Sequence, residues 1–188
     1  MGMNVGYLTA DRSSAGDEVY TPFYAVEPLL EFLPRDKIIW CPFDEEWSAF
    51  YQLLTEKGFN VVRSSLKEGQ DFFRYEPENW DILVSNPPFG KKEEILKRAC
   101  DFGKPFALLL PVDNIQGKKR FEIFQNNIQL LVFDGRIDYH TPENMHETLK
   151  GSCFGSAYFC RDILPTKLEL RKLKKYERPL IGGDELWE

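Results

Sequence analysis

An apolar run led by an acid, Asp81-Ile82-Leu83-Val84-Ser85, breaks off into Asn86-Pro87-Pro88-Phe89-Gly90. The pattern reads as a buried strand whose C-terminal end turns into a rigid polar loop. Two successive prolines remove two backbone donors and hold φ at about −65°. The carbonyls around them have no neighbouring strand to serve and stay open to a ligand. The chemistry on offer is that of acceptors held in a fixed place.

The elements that must hold this loop follow from hydrophobic spacing. Thr21-Pro22 opens a helix of two to three turns, with Val26, Leu29, Leu30 and Leu33 at helical spacing, ending near Pro34. Residues 37–41 form a strand, Pro42-Phe43-Asp44 a turn, and Trp47, Phe50, Tyr51 and Leu54 one face of a helix closed by Lys57-Gly58. Residues 59–63 give a second strand ending at Ser64-Ser65, and after an irregular linker the Asn-Pro-Pro strand follows. Helix 91–102, strand 105–111, helix 117–127, strand 128–133 and strand 156–160 complete the series. Strands separated by helices at this pace make an α/β fold, a Rossmann-like open and mainly parallel sheet with helices on both faces. Ligands of such sheets bind at the C-terminal strand ends. Pro42-Phe43-Asp44, Ser64-Ser65 and Asn86 to Phe89 all fall there, so three special loops converge on one sheet edge.

Composition bounds the reading. The 188 residues suit one domain, with an arm at 1–18, a core domain at 19–165 and a C-terminal extension at 166–188. A net charge of −6 argues against a chain held on nucleic acid by its overall field, and leaves room for a local basic face. Cys41, Cys100, Cys153 and Cys160 form no CxxC pair and read as reduced thiols in a cytoplasmic protein. No run of apolar residues reaches membrane-span length and the N-terminus carries no leader pattern, so no membrane partner is expected. His140 and His146 are the only histidines and read as loop residues; no metal site is expected.

Asn86-Pro87-Pro88-Phe89 at a strand end resembles the catalytic loop of the S-adenosylmethionine-dependent adenine-N6 methyltransferases. The likeness extends to Asp17-Glu18-Val19-Tyr20-Thr21-Pro22, similar to the cofactor motif that precedes the sheet when the motifs stand in gamma order. Gly69-Gln70-Asp71-Phe72-Phe73 resembles the segment contacting the cofactor's adenine, and 135–139 with 154–159 the late strand pair. With Ile39 to Asp44 and Ser64-Ser65, the whole of about residues 17–165 resembles the small branch associated with phages and mobile elements. The resemblance implies a class I methyltransferase fold, S-adenosylmethionine as cofactor and methyl transfer to an exocyclic amine, adenine in DNA before RNA. It implies that Asn86 and Pro87 accept the amine's two hydrogens and aim its lone pair at the sulfonium methyl. Phe89 then stacks on the base and Pro88 stiffens the loop. Tyr20, Thr21, Pro22, Pro42, Phe43, Asp44, Ser64, Ser65, Asp71, Phe72 and Asn86 become the cofactor's neighbours. Apart from the resemblance, Lys118, Lys119 and Arg120 lie just after a strand-end loop near the expected substrate side and suit the phosphate contact if a nucleic acid binds.

Two positions depart from that pattern. The loop after the first strand, Cys41 to Trp47, lacks the family's glycines, and Ser64-Ser65 stands where an acid grips the ribose, which leaves Glu45 or Asp71 for that task. Each site residue also has a plain structural reading. Asp44 suits an N-cap and Asp71 caps a turn. The run Lys167 to Lys175 reads as a solvated helix or strand before a nucleic-acid patch. Methyl transfer to a protein glutamine or to RNA adenine, and a non-catalytic scaffold subunit built on the same fold, stand as alternatives. The absence of a target-recognition domain points to a partner subunit for that role. A basic rim of Lys92, Lys118, Lys119 and Arg120 around Asn86 separates nucleic acid from protein or small-molecule targets.

Overall fold

The computed structural model describes residues 19–125, 127–152 and 154–180, with the backbone alone at Phe89 and Lys119. The arm expected at 1–18, Cys153 and the expected stacking of Phe89 fall outside the described residues and side chains. Seven strands form one sheet in the order β2-β1-β3-β4-β6-β5-β7. They are β1 (Ile38–Cys41), β2 (Asn60–Arg63), β3 (Ile82–Ser85), β4 (Phe106–Pro111), β5 (Gln129–Phe133), β6 (Ser156–Arg161) and β7 (Leu168–Arg171). Every pairing is parallel except those of β6, which runs antiparallel between β4 and β5. The expected open, mainly parallel α/β sheet is present.

Alternation along the strands sends side chains to both faces, and each face has its own core. Ile39 and Cys41, Ile82 and Val84, Ala107 and Leu109, and Tyr158 and Cys160 point to one face. There they pack with α1 (Phe23–Val26) and α2 (Ala49–Glu56). Trp40, Leu83, Phe106, Leu108, Leu110 and Phe159 point to the other, where α3 (Lys92–Asp101) supplies Ile95, Leu96 and Ala99 and α4 (Lys118–Phe124) supplies Ile123 and Phe124. Trp80, in the segment expected to be an irregular linker, is buried on this second face, its ring centroid 5.0 Å from that of Trp40.

Three expectations change in detail. The helix predicted through Leu33 is a single α turn continued as a 3₁₀ helix, Glu27–Phe32. Pro28 has no N–H to give to an i−4 carbonyl, which favours the tighter winding. His140, expected as an ordinary loop histidine, is fully buried, and its backbone exchanges two hydrogen bonds of 2.9 Å with Tyr20. The segment expected as an extension contributes β7, parallel to β5 at the sheet edge, and residues 172–180 then pass back over the face that carries α1 and α2. Among the described residues no helix is long and apolar enough to cross a membrane.

The chain leaves β1 outward to β2 and returns to β3 on the other side of β1. This reversal opens a crevice between the C-terminal ends of β1 and β3, the place where open α/β sheets bind ligands.

Candidate active site

Asp44 follows β1 and Asn86 follows β3, so the switch point brings them together. Ser85 Oγ donates to Asp44 Oδ2 and ties the two loops to each other. Asp44 is 5% exposed. Burial pushes its carboxyl up to about 7, against the hydroxyls of Ser85 and Ser48 and the charge of Arg63, while Glu45 adds to the rise. The N-cap reading of Asp44 gives way to another arrangement: α2 begins at Ala49, Ser48 holds the cap position, and the Glu45 N–H donates to Ser48 Oγ at 2.9 Å.

The glycine-free loop Pro42 to Trp47 therefore closes by side-chain hydrogen bonds.

Asn86 is anchored from the other side. Its Nδ2 donates to the Val19 carbonyl at 3.2 Å, while its Oδ1 is buried without a hydrogen-bond partner among the described residues. The Val19 segment is in turn pinned by the Tyr20–His140 backbone bridge. An amide with its donor end tied and its acceptor end open presents an oxygen to whatever enters the crevice. Unpartnered buried oxygens are rare enough to need a reason. Thr21 Oγ1 and Ser65 Oγ are two more.

Two adjoining cavities share Val19, Tyr20, Phe43, Glu45 and Asn86. The larger, about 400 Å³, extends over Ser65, Leu66, Lys67, Pro87 and Pro88. The smaller, about 60 Å³, reaches inward past Thr21, Asp44, Trp47 and Ser48 to Leu180. Tyr20 and Trp47 meet edge to face at 4.5 Å on its wall, and Glu45 accepts from Trp47 Nε1 at 3.2 Å and pairs with Lys67 at 2.8 Å.

Of the residues singled out by sequence, Tyr20, Thr21, Phe43, Asp44, Ser65, Asn86, Pro87 and Pro88 line this cleft. Pro22 and Pro42 are buried behind it. Ser64 is fully buried and its hydroxyl accepts the Trp40 indole N–H at 2.9 Å. Asp71 accepts the Phe73 N–H at 3.0 Å in a local turn, and Phe72 packs in the second-face core 4.8 Å from the Phe43 ring. Lys118 borders a separate cavity of about 770 Å³ with Phe121, Ile128 and Leu130, and Arg120 pairs with Glu93 at 3.1 Å. The side chain of Lys119 is outside the description. Lys92 lines neither half of the cleft. Val19, part of the quoted cofactor motif, lines the cleft as well, while Trp47, Ser48, Leu180 and Lys67 line it without having been singled out from sequence. Leu180 in particular arrives from 94 positions beyond Asn86, a separation that no local spacing signals.

Among the described residues no group of His, Cys, Asp or Glu is arranged to hold a metal. The orphaned Asn86, Thr21 and Ser65 oxygens and the buried Asp44 carboxyl fit a polar, partly cationic organic ligand. No protein-family model matches the chain, and no curated protein matches it. Among solved structures it is similar to a candidate class I S-adenosylmethionine-dependent methyltransferase from Listeria monocytogenes. The identity is 15%, the TM-score 0.47, and the match covers 83% of this chain and 66% of that one.

Proposed function

We propose that the protein transfers a methyl group from S-adenosylmethionine to a planar amino nitrogen, with the N6 amine of adenine in a nucleic acid, DNA before RNA, as its substrate class. The observation that carries this reading is the Asn86 amide, held by Val19 at its nitrogen and, among the described residues, without a partner at its buried oxygen. An exocyclic amine is a poor nucleophile because its lone pair is delocalised into the ring. Asn86 Oδ1 accepting one hydrogen and the Pro87 carbonyl the other would favour a pyramidal nitrogen with a directed lone pair. Bound S-adenosylmethionine would supply the electrophilic methyl. Asp44 would face its ammonium, and Glu45 is the acid lining both halves of the cleft that could take the ribose hydroxyls. Pro88, with φ −59° and ψ 136°, keeps the loop extended before the 3₁₀ helix Phe89–Lys91.

A protein side-chain amide such as glutamine is the second reading, favoured by the charge at the rim. Among the described residues, the charged ones lining the cleft are Asp44, Glu45 and Lys67, and the last two are paired. That rim is neutral to acidic, and Lys118 and Arg120 serve elsewhere.

Radiolabelled methyl transfer to DNA, RNA and cell-extract protein, run in parallel on the parent and Asn86→Ala, tests both readings. The expected result is transfer to nucleic acid, lost in the variant while cofactor affinity changes only modestly. An unchanged rate in Asn86→Ala overturns the assignment, and label appearing in protein alone selects the second reading. Calorimetry with no S-adenosylmethionine binding at millimolar ligand would instead favour a scaffold subunit.

A further inference from the structure

After β7 the chain does not leave the domain. Residues 172–180 cross the face of α1 and α2 without entering any helix or strand. They are held by a series of single contacts. The Leu173 N–H donates to Asp134 at 2.9 Å, Lys175 pairs with Asp138 at 2.6 Å, and Tyr176 donates to Glu27 at 2.8 Å. Arg178 lies 3.7 Å from the Phe23 ring centroid and makes a two-pronged ion pair with Glu56. The path ends with the Leu180 N–H on the Met145 carbonyl at 2.8 Å, and with the Leu180 side chain 1% exposed inside the smaller half of the cleft.

That half is about 60 Å³. It has room for a water or two, while the adjoining half supplies the several hundred Å³ of a small-molecule site, so a ligand lying across both is confined at its Asp44 end. Yet it contains Asp44 and Thr21, the buried polar groups suited to a ligand's cationic end. Leu180 and, in part, Leu173 pack into the first-face core; the rest of what holds the strap is surface ion pairing and ring contact, each of which is weak alone. An apolar side chain thus stands among the polar groups that suit a ligand, on a segment outside the strands and helices.

We propose that residues 172–180 are a releasable strap whose Leu180 plugs the Asp44 side of the cleft, and that a ligand seats its cationic end there only when the strap lets go. The identity of the ligand rests on the methyltransferase reading; the plug does not. Asp44 is raised chiefly by burial, with Ser85, Ser48, Glu45 and Arg63 as polar and charged neighbours and the buried Cys41 and Tyr158 also interacting with its charge. Withdrawing Leu180 lets water reach that carboxylate.

The test uses the full chain with Leu180→Ala and, as a change that cuts one tie of the strap without altering the cleft lining, Arg178→Ala. Carboxyl-carbon NMR follows Asp44, and calorimetry follows S-adenosylmethionine. In both variants the Asp44 titration should fall from about 7 toward 3.8. Affinity should rise about tenfold in Leu180→Ala, the scale of one buried leucine no longer needing displacement. It should rise about threefold in Arg178→Ala, the scale of one exposed ion pair. An unmoved Asp44 titration in Arg178→Ala, or binding equal to or weaker than the parent in both variants, overturns the strap. Leu180 would then be a fixed wall of the site. If Asp44 moves and no chain binds S-adenosylmethionine, the strap stands and the cofactor reading fails. If all three bind it equally, the cofactor reading stands and the strap fails.

Discussion

Replacing Asp44 by Asn should stabilise the protein at neutral pH. The carboxyl is buried, and desolvation pushes it from 3.8 to about 7 despite its hydrogen bond from Ser85. A raised value means that the folded chain holds this proton more tightly than the unfolded chain does. The group's stabilising share is therefore complete below about pH 4 and is lost as pH climbs through about 7. At about 1.4 kcal/mol per tenfold, the whole loss is roughly 4 kcal/mol. Asn keeps an oxygen for the Ser85 hydroxyl and cannot ionise, so it should lack this pH-dependent loss. Urea denaturation of parent and variant at steps from about pH 4.5 to 8 reads the gap directly. His140 titrates in the same range with the opposite sign. Burial lowers its value, so its share is present at high pH and lost as pH falls. Subtracting the two curves cancels that contribution. The variant should gain on the parent as pH rises, by about 2–4 kcal/mol at the top of the range. Parallel curves would refute the reasoning, because Asp44 would then ionise as readily folded as unfolded. The same variant should bind S-adenosylmethionine at least tenfold more weakly, since a charged partner for the ammonium is lost. Stability gained with affinity lost is the mark of a group retained for binding.

Three further outcomes follow from neighbouring contacts. Ser64→Ala should cost about 1–3 kcal/mol in urea denaturation by stranding the buried Trp40 N–H, with ligand affinity within a factor of about two. A large loss of affinity there would return Ser64 to the ribose. Asp71→Ala should cost about 1 kcal/mol through its turn and leave calorimetric binding unchanged, because its carboxylate already serves the Phe73 N–H. Glu45→Gln should weaken binding about threefold to tenfold with little change in melting temperature. Its ion pair with Lys67 is exposed and contributes little to folding.

The strand-end logic was legible because it rests on local signals. Ile82 to Ser85 followed by Asn86-Pro87-Pro88 announces a strand and its stop, and the all-buried Phe106–Pro111 announces a central strand. Which side chain at a strand end faces the crevice was not legible, because neighbouring positions compete for the same interior. Ser64 and Ser65 are adjacent and chemically alike. Ser64 turns to Trp40, and Ser65 keeps a free hydroxyl on the cleft wall. The indole that decides between them lies 24 residues back on β1, and only the register Trp40↔Val62 brings it alongside. Lys118-Lys119-Arg120 shows the same limit. Its composition suits a phosphate contact, while α4 lies on the second face and commits Arg120 to Glu93 on α3. Leu180 was out of reach, since its burial depends on a tail whose path is set by tertiary contacts alone.

The two departures from the methyltransferase pattern turn out to be one structural fact. A glycine-rich loop after β1 lets a ligand approach bare backbone. Here that loop carries Phe43, Asp44 and Glu45, and it is stiffened by Ser48 and by Ser85 from the neighbouring strand. On the proposed reading, recognition falls to side chains. Glu45 after β1 is then the acid for the ribose, because it reaches both cavities while Ser64 is spent on Trp40. A site read this way would take its specificity from carboxylates that burial and ion pairing tune, where a glycine loop has only fixed amides to offer. Leu180 lines the smaller compartment beside that loop.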